Sequence, residues 1–227
     1  MEQLHNGFTL EFSPGVFPLS TDSVVLADFA RLPKNASVLD LCSCCGTLGL
    51  LLCAKDPGCV VTGIELDPAA HQMALHNAQV NQLQHRLKSI CGDLACIHTK
   101  PGSFACCISN PPYFSAGPES KATPLARRDD LCSMDTLIAA AARALKFGGD
   151  FFLVHRPERL AELCAIAAKY NLQPKRLLLL RHRPDAPVSL IFVQCRKGAK
   201  PGLIWEERFL YEPDGAPSKY YKTLYHI

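Results

Sequence analysis

Asn110, Pro111, Pro112 and Tyr113 place an amide, a stiff turn and an aromatic ring within four consecutive positions. The apolar run Phe104-Ala105-Cys106-Cys107-Ile108 precedes them and reads as a buried strand that stops at Asn-Pro-Pro-Tyr. Proline lacks an N–H, fixes its own φ, and pushes the preceding residue out of the helical region. Two in succession make a rigid turn that can hold an amide, a carbonyl and a ring in set directions. This grouping suits alkylation of a conjugated amino nitrogen, such as adenine N6 or a carboxamide. The lone pair of such a nitrogen is delocalised, so the nitrogen is a weak nucleophile. Two acceptors aimed at its N–H bonds favour a more pyramidal nitrogen and stabilise the charge that develops as the alkyl group arrives. The Asn110 side-chain oxygen can be one acceptor and the Pro111 carbonyl the other. Tyr113 or Phe114 can stack on the base or amide plane, a contact worth about 1–3 kcal/mol per base. Asn110, Pro111, Pro112 and Tyr113 are thus the catalytic candidates, acting by positioning and preorganisation without a strong base.

The elements that must carry this turn alternate between strands and helices. Ser37-Val38-Leu39-Asp40-Leu41 reads as a buried strand with an acid near its end. Cys42-Ser43-Cys44-Cys45-Gly46-Thr47 forms a tight loop, and a helix starts at Leu48. Strand, small-residue loop and helix make a nucleotide-binding entry, because small residues admit close backbone approach and the helix N-terminus offers unpaired N–H groups. Val60 to Glu65 is a second strand. Glu65, 19 positions after Gly46, can accept both hydroxyls of a ribose, as the acid about 20 residues on does in dinucleotide folds. Asp67 and Pro68 open a helix to about Asn81. Leu87 to Cys91 is a third strand, followed by Gly92 and Asp93. In open α/β sheets, ligands bind just beyond the carboxyl ends of strands.

Elsewhere, Phe8 to Phe12 alternates like a short strand, and Thr21 or Asp22 reads as the N-cap of a helix running to Phe29. Residues 115–125 are rich in Gly, Pro, Ser and Thr and read as a loop or lid. Arg127 and Arg128 follow and could meet phosphate. A helix over 133–146, capped by Ser133, is expected to close at Gly148-Gly149. A strand over 151–154, a helix over 158–170, strands over 176–182 and 188–196, an added strand over 203–211 and a short helix over 218–226 complete the chain. Alternating strands and helices ending in a strand hairpin predict an α/β sheet with helices on both faces. The 227 residues are read as one domain: a lead-in over 1–35, a core over 36–200 and an extension over 201–227.

Charge is uneven along the chain. Residues 1–110 hold 6 Lys+Arg and 9 Asp+Glu, whereas residues 111–227 hold 18 and 12, so the halves carry −3 and +6. A basic second half fits an anionic substrate such as RNA, though a solvated surface has the same composition. No secretory signal and no apolar run of about 18 residues is evident, which predicts a cytoplasmic protein without a membrane span. Outside a secretory context the twelve cysteines read mainly as small hydrophobes rather than a disulfide framework. Cys42-x-x-Cys45 before a helix also has the form of a dithiol redox site. No metal is expected, since no second Cys/His pair has zinc-finger spacing.

The segment Asp40 to Gly46, with Glu65, Asp93 and Asn110 to Tyr113, resembles the Asn-Pro-Pro-Tyr class of S-adenosylmethionine-dependent methyltransferases. Residues 122–127, the His-Arg-Pro-Glu-Arg stretch from His155 and the Tyr-rich tail resemble the valine-tRNA adenosine N6-methyltransferase family. The resemblance implies a Rossmann-like class I methyltransferase fold, with a seven-stranded, mostly parallel sheet whose last strand is antiparallel. It implies S-adenosylmethionine as cofactor, held by Thr21, Asp22, Asp40, Cys42, Cys44, Gly46, Glu65, Asp93 and Asn110. Asp93 would bind the adenine amino group, and Thr21 and Asp22 would lie beside the methionine end. Substrate would meet Tyr113, Phe114, Arg127 and Arg128, and the partner implied is tRNA, methylated at the adenosine 3′ of the anticodon. Cys42 and Cys44 depart from the family's Asp-x-Gly-x-Gly-x-Gly pattern; a Cβ there crowds the cofactor and disfavours positive φ. Alternative readings are a protein-glutamine N5-methyltransferase, a DNA adenine enzyme, or a non-catalytic RNA- or protein-binding module on the same fold.

Overall fold

Successive strand–helix units bring Asp40, Glu65, Asp93 and Asn110 to one edge of a largely parallel sheet. The computed structural model describes residues 1–4, 7–12, 19–96, 99–112 and 132–227. Tyr113, Phe114, Arg127, Arg128 and the 115–125 stretch lie outside the described residues.

A small ribbon, β1 (Glu2–Gln3) paired antiparallel with β2 (Thr9–Leu10), precedes α1 (Thr21–Phe29). The repeating units then run β3 (Ser37–Leu41), α2 (Thr47–Lys55), β4 (Val60–Glu65), α3 (Pro68–Val80), β5 (Leu87–Cys91) and β6 (Phe104–Ser109). Next come α4 (Met134–Ala144), β7 (Leu145–His155), a 3-10 turn (Pro157–Arg159), α5 (Leu160–Lys169), β8 (Leu172–Arg181) and β9 (Val188–Lys197). The chain ends with β10 (Ile204–Phe209) and α6 (Lys219–Tyr225).

Among the described residues the main sheet has eight strands, ordered β10-β8-β9-β7-β6-β3-β4-β5. Only β9 runs against the rest, antiparallel to both β7 and β8. The seven strands from β3 to β9 match the expected sheet with its last strand antiparallel. The eighth, β10, is the added strand, and it extends the edge parallel to β8. Side chains alternate across β3 as a pleated strand requires. Val38 enters a core with α1, α2 and α3, while Leu39 and Leu41 enter a second core with α4 and α5. Among the described residues no helix is long and apolar enough to cross a membrane.

Two local expectations are corrected. The N-cap of α1 is Ser20, whose hydroxyl accepts from the Ser23 N–H at 3.3 Å; Thr21 and Asp22 occupy the first turn instead. Helix α4 ends at Ala144, before the glycines, and β7 starts at Leu145. Its last carbonyls need partners, and Lys197 on β9 supplies them, its ammonium donating to Ala142 O and, at 2.8 Å, to Leu145 O. Gly148, at φ 77°, then bends the early part of β7, where its register with β6 shifts.

The N-terminal ribbon is pinned to α3 by two asparagines. Buried Asn77 accepts from Glu11 N at 2.8 Å and donates to Glu11 O and Cys45 O, each at 2.9 Å. Asn81 does the same for Thr9. Asn77 therefore joins three separate segments, one of them the loop after β3.

Candidate active site at the carboxyl edge of the sheet

The chain crosses from β5 at one edge to β6 on the far side of β3, so strand order reverses between β3 and β6. Loops leaving adjacent strands at such a point diverge and open a crevice. The loop after β3 carries Cys42 to Gly46, and the turn after β6 carries Asn110, Pro111 and Pro112. Ser109 ties the two, its buried hydroxyl donating to Leu41 O at 2.6 Å.

The loop after β3 is built on left-handed backbone. Cys42, Cys44 and Gly46 have φ of 60°, 49° and 82°. The three positions where the methyltransferase pattern has glycine thus take the glycine conformation, although two of them carry a Cβ. Each such residue costs about 1–2 kcal/mol. Compensating contacts hold the loop: Ser43 N donates to Ile64 O at 3.0 Å, and Gly46 N to Ser43 O at 2.9 Å. Gly63 is needed beneath it, because a Cβ there would lie 2.5 Å from Ser43 Oγ. Cys44→Gly should accordingly raise the unfolding free energy by about 1 kcal/mol; equilibrium denaturation in urea measures this, and a stability equal to or below the parent's would contradict the strained-loop account.

Glu65 ends β4 and reaches back to this loop. Its Oε2 accepts from Cys44 N at 2.7 Å and its Oε1 from Asp67 N at 2.9 Å. Burial still dominates and raises its pKa. A carboxylate has lone pairs beyond those two contacts, so Glu65 can accept further donors at the crevice. Asp93, after β5, is exposed and its Oδ1 accepts from Ala95 N at 2.8 Å, so one oxygen serves the local turn. The Glu65 carbonyl accepts from Gly92 N at 2.8 Å, which fixes the two acidic positions side by side.

Asp40 is different. It lies within β3 at 1% exposure, and neither carboxyl oxygen has a hydrogen-bond partner among the described residues. Burial, then the nearby Glu65 and Cys45, raise its pKa well above the usual carboxylate range. A buried acidic group without a partner is costly, and its place beneath the crevice suits a cationic ligand group.

Asn110 is held by a residue that the sequence pattern does not single out. Its Nδ2 donates to Ser23 Oγ at 3.1 Å, across 87 positions of sequence. With that N–H engaged, Oδ1 is the amide atom suited to accept a substrate N–H. Ser23 is 6% exposed and lies near Ser20 Oγ at 3.2 Å. The first turn of α1 therefore sits against the Asn-Pro-Pro turn; Thr21 and Asp22 lie in that same turn of helix, with Thr21 Oγ1 3.2 Å from Tyr225 OH. Ser23→Ala should lower kcat about three- to tenfold, the worth of one hydrogen bond, with donor affinity unchanged. Steady-state kinetics beside calorimetry measure both, and an unchanged kcat would remove Ser23 as a positioning residue.

The Cys42-x-x-Cys45 pair is split between the two sides of the sheet: Cys42 packs against the core with α4, whereas Cys45 is buried in the core with α1. A hydrogen bond with Cys132, together with burial, holds the Cys42 thiol well above its ordinary pKa, while a hydrogen bond with Cys44 lowers that of Cys45. All twelve cysteines are among the described residues and none forms a disulfide. Burial pushes Cys53 up to about 11 and Cys59, Cys106 and Cys195 up to about 12, so these stay protonated as small hydrophobes. Among the described residues no group of three or more His, Cys, Asp or Glu could hold a metal ion. His155, 1% exposed, accepts from Arg156 N and serves the strand end.

Comparison with known proteins agrees with this arrangement. Residues 8–164 match the methyltransferase small domain family. A tRNA1(Val) (adenine(37)-N6)-methyltransferase from Shewanella halifaxensis is 34% identical over 160 residues, 69% of this chain and 65% of that protein; the match spans just under two thirds of the relative's length. A protein of the same name from Porphyromonas gingivalis is 30% identical over 189 residues, 78% of this chain and 74% of that one. A solved structure from Agrobacterium tumefaciens, described as a predicted O-methyltransferase, superposes with a TM-score of 0.76 at 18% identity, covering 91% of this chain and 96% of that one. With the switch-point crevice, the left-handed loop and the Asn-Pro-Pro turn in place, the chain belongs to the methyltransferase small domain family, among relatives named tRNA1(Val) (adenine(37)-N6)-methyltransferase.

Proposed function

We propose that this protein transfers a methyl group from S-adenosylmethionine to N6 of adenine 37 in the anticodon loop of a valine tRNA, in the cytoplasm. The observation that carries the reading is the Asn110 amide, locked by Ser23 at the switch point beside the loop of Cys42, Cys44 and Gly46. The names of the relatives add the nucleotide and the RNA.

The residues fit such a donor. Asp40 offers a buried carboxyl group that lacks a described protein partner; burial holds it towards its neutral form in the empty protein, and a positively charged ligand would favour its ionised form. Glu65 suits the ribose hydroxyls and Asp93 the adenine amino group. The backbone of Cys42, Cys44 and Gly46 lets the chain approach closely, and Thr21 and Asp22 suit the amino-acid end. When bound, S-adenosylmethionine supplies a methyl group on a cationic sulfur, a good leaving group. The protein's own part is positional. Asn110 Oδ1 and the Pro111 carbonyl accept hydrogen bonds from the two amino N–H groups of the base, turning its lone pair outward and stabilising developing charge; as the N–C bond forms and the S–C bond breaks, one amino proton is released to solvent. Pro112 stiffens the turn that aims them. Tyr113 and Phe114 are assigned to stack on the base, and Arg127 and Arg128 to RNA phosphate, on sequence position alone. An anticodon loop presents its bases largely unpaired, so extruding one costs less than from a duplex.

Incubating the protein with methyl-labelled donor and either total RNA or a protein extract tests the substrate class. Label is expected in the small-RNA fraction. Label in protein alone would replace this reading with glutamine N5-methylation, and label in neither, without donor binding, would favour a non-catalytic module.

A further inference from the structure

Four aromatic rings contact one another in succession, three of them outside both hydrophobic cores. His182 and Tyr211 have centroids 4.8 Å apart, Tyr211 and Tyr221 5.2 Å, and Tyr221 and Tyr225 4.5 Å, the last pair stacked at 27°. Of the four, Tyr225 packs against a core; His182, Tyr211 and Tyr221 do not. Burial of apolar surface in the core therefore does not account for the row.

Its two ends are placed by separate contacts. His182 leaves the carboxyl end of β8, three strands away from β6. The far end of the row reaches the catalytic edge: Tyr225 OH lies 3.2 Å from Thr21 Oγ1, and Ser23, two residues on, holds Asn110. Less than one helical turn, about 5.4 Å, separates those two contacts along α1.

Three cations flank the row, and three acids in the neighbouring turns equal them in number. Helix α6 reads Lys-Tyr-Tyr-Lys-Thr-Leu-Tyr, with two exposed lysines and no acid. Arg183, beside His182, is exposed; the acids Asp185, Glu212 and Asp214 sit in the flanking turns. Aromatic faces interleaved with lysines are the usual means of holding single-stranded nucleic acid, by stacking bases and tracking phosphates. The row is anchored by Tyr211 N donating to His182 O at 2.9 Å and by the Ser218 cap of α6, so it is assembled before any ligand arrives.

We propose that the row His182, Tyr211, Tyr221 and Tyr225, flanked by Lys219, Lys222 and Arg183, is a stacking platform for the unpaired loop nucleotides next to the target adenine. The proposal rests on the RNA substrate read above and adds the surface that binds it. Bases continue the pile at its ends, and the Tyr225 end delivers the neighbouring nucleotide to Asn110.

The test uses the intact protein and a labelled anticodon stem-loop RNA. His182→Ala, at the exposed end of the row, should weaken stem-loop binding about five- to 150-fold, His182→Phe should preserve it, and calorimetry should give both the parent's S-adenosylmethionine affinity. Independently of any variant, stem-loops carrying 5-iodouridine should photocrosslink the parent protein at His182, Tyr211, Tyr221 or Tyr225. Stem-loop affinity of His182→Ala within twofold of the parent, or crosslinks confined elsewhere, would overturn the platform while leaving the RNA reading intact. A parent protein that neither binds nor methylates RNA would overturn both.

Discussion

Asn110→Ala is expected to lower kcat about 100- to 1000-fold, the usual consequence of deleting one preorganised polar group facing a reacting centre. Thermal stability should fall by no more than a few degrees, and measurement at saturating donor removes any change in donor affinity from the comparison. The expectation follows from what the side chain does in the fold. Its Nδ2 bond to Ser23 is worth roughly 1 kcal/mol, and Ser23 keeps its contact with Ser20 when the amide is gone. Little structural energy depends on Asn110, so the loss should fall on the chemical step, where two acceptors on the amino nitrogen are reduced to one. Single-turnover methyl transfer at saturating donor and RNA separates the chemical step from binding. Activity within threefold of the parent would mean that the nitrogen is positioned by other groups.

The second large effect concerns Asp40, and it acts in opposite directions on stability and on binding. Its native pKa is raised above the unfolded value near 3.8, first by burial, then by Glu65 and Cys45. The native state then holds this proton more tightly than the unfolded state does. Its contribution is therefore most favourable below about pH 4 and is lost as pH rises from there through the raised native pKa. Asp40→Asn removes that loss. Without donor, the variant should match the parent near pH 4 and exceed it by about 1–3 kcal/mol at pH 8, a gain of several degrees in Tm. At the same time its donor affinity should fall at least tenfold, because the negative charge that answers the ligand's positive charge is gone. Thermal scans across pH, with and without S-adenosylmethionine, measure both. A parent that gains stability on passing from pH 5 to pH 8 relative to the variant would contradict the assignment. A group that destabilises the empty protein and tightens the ligand complex is what a binding residue, as opposed to a packing residue, should be.

The parts of this site that were legible in the sequence are those set by local pattern. The strands expected over 37–41, 60–65 and 87–91 coincide with β3, β4 and β5, and Asp67 before Pro68 caps α3 as its residue types require. The acids fall at strand ends because a strand leaving the core meets the ligand edge there. What escaped is carried by contacts between distant segments. Ser23 and Asn110 are 87 residues apart, and nothing in the spacing of either announces the other. Asn77 looks like any polar residue on a helix until its amide is seen joining the N-terminal ribbon to the loop after β3. The glycine pair after α4 looks like a helix stop, yet Lys197, more than 50 residues on, satisfies those carbonyls and lets β7 begin early. Cys42 and Cys44 show the reverse case. Their residue type argues against positive φ, and the surrounding hydrogen bonds impose it nonetheless. The tyrosines of the tail were visible as a composition bias, but their stacking towards Thr21 depends on how α6 packs against α1 and β10.

The most direct test of the central claim is the nucleoside formed on a defined RNA. The purified protein would be incubated with S-adenosylmethionine and an unmodified valine tRNA transcript, alongside the same transcript with guanosine at position 37, and N6-methyladenosine would be measured in the digests. The account predicts close to one N6-methyladenosine per molecule of the first transcript and none in the second. Equal methylation of both transcripts, or none in either from a protein that binds the donor, would contradict it.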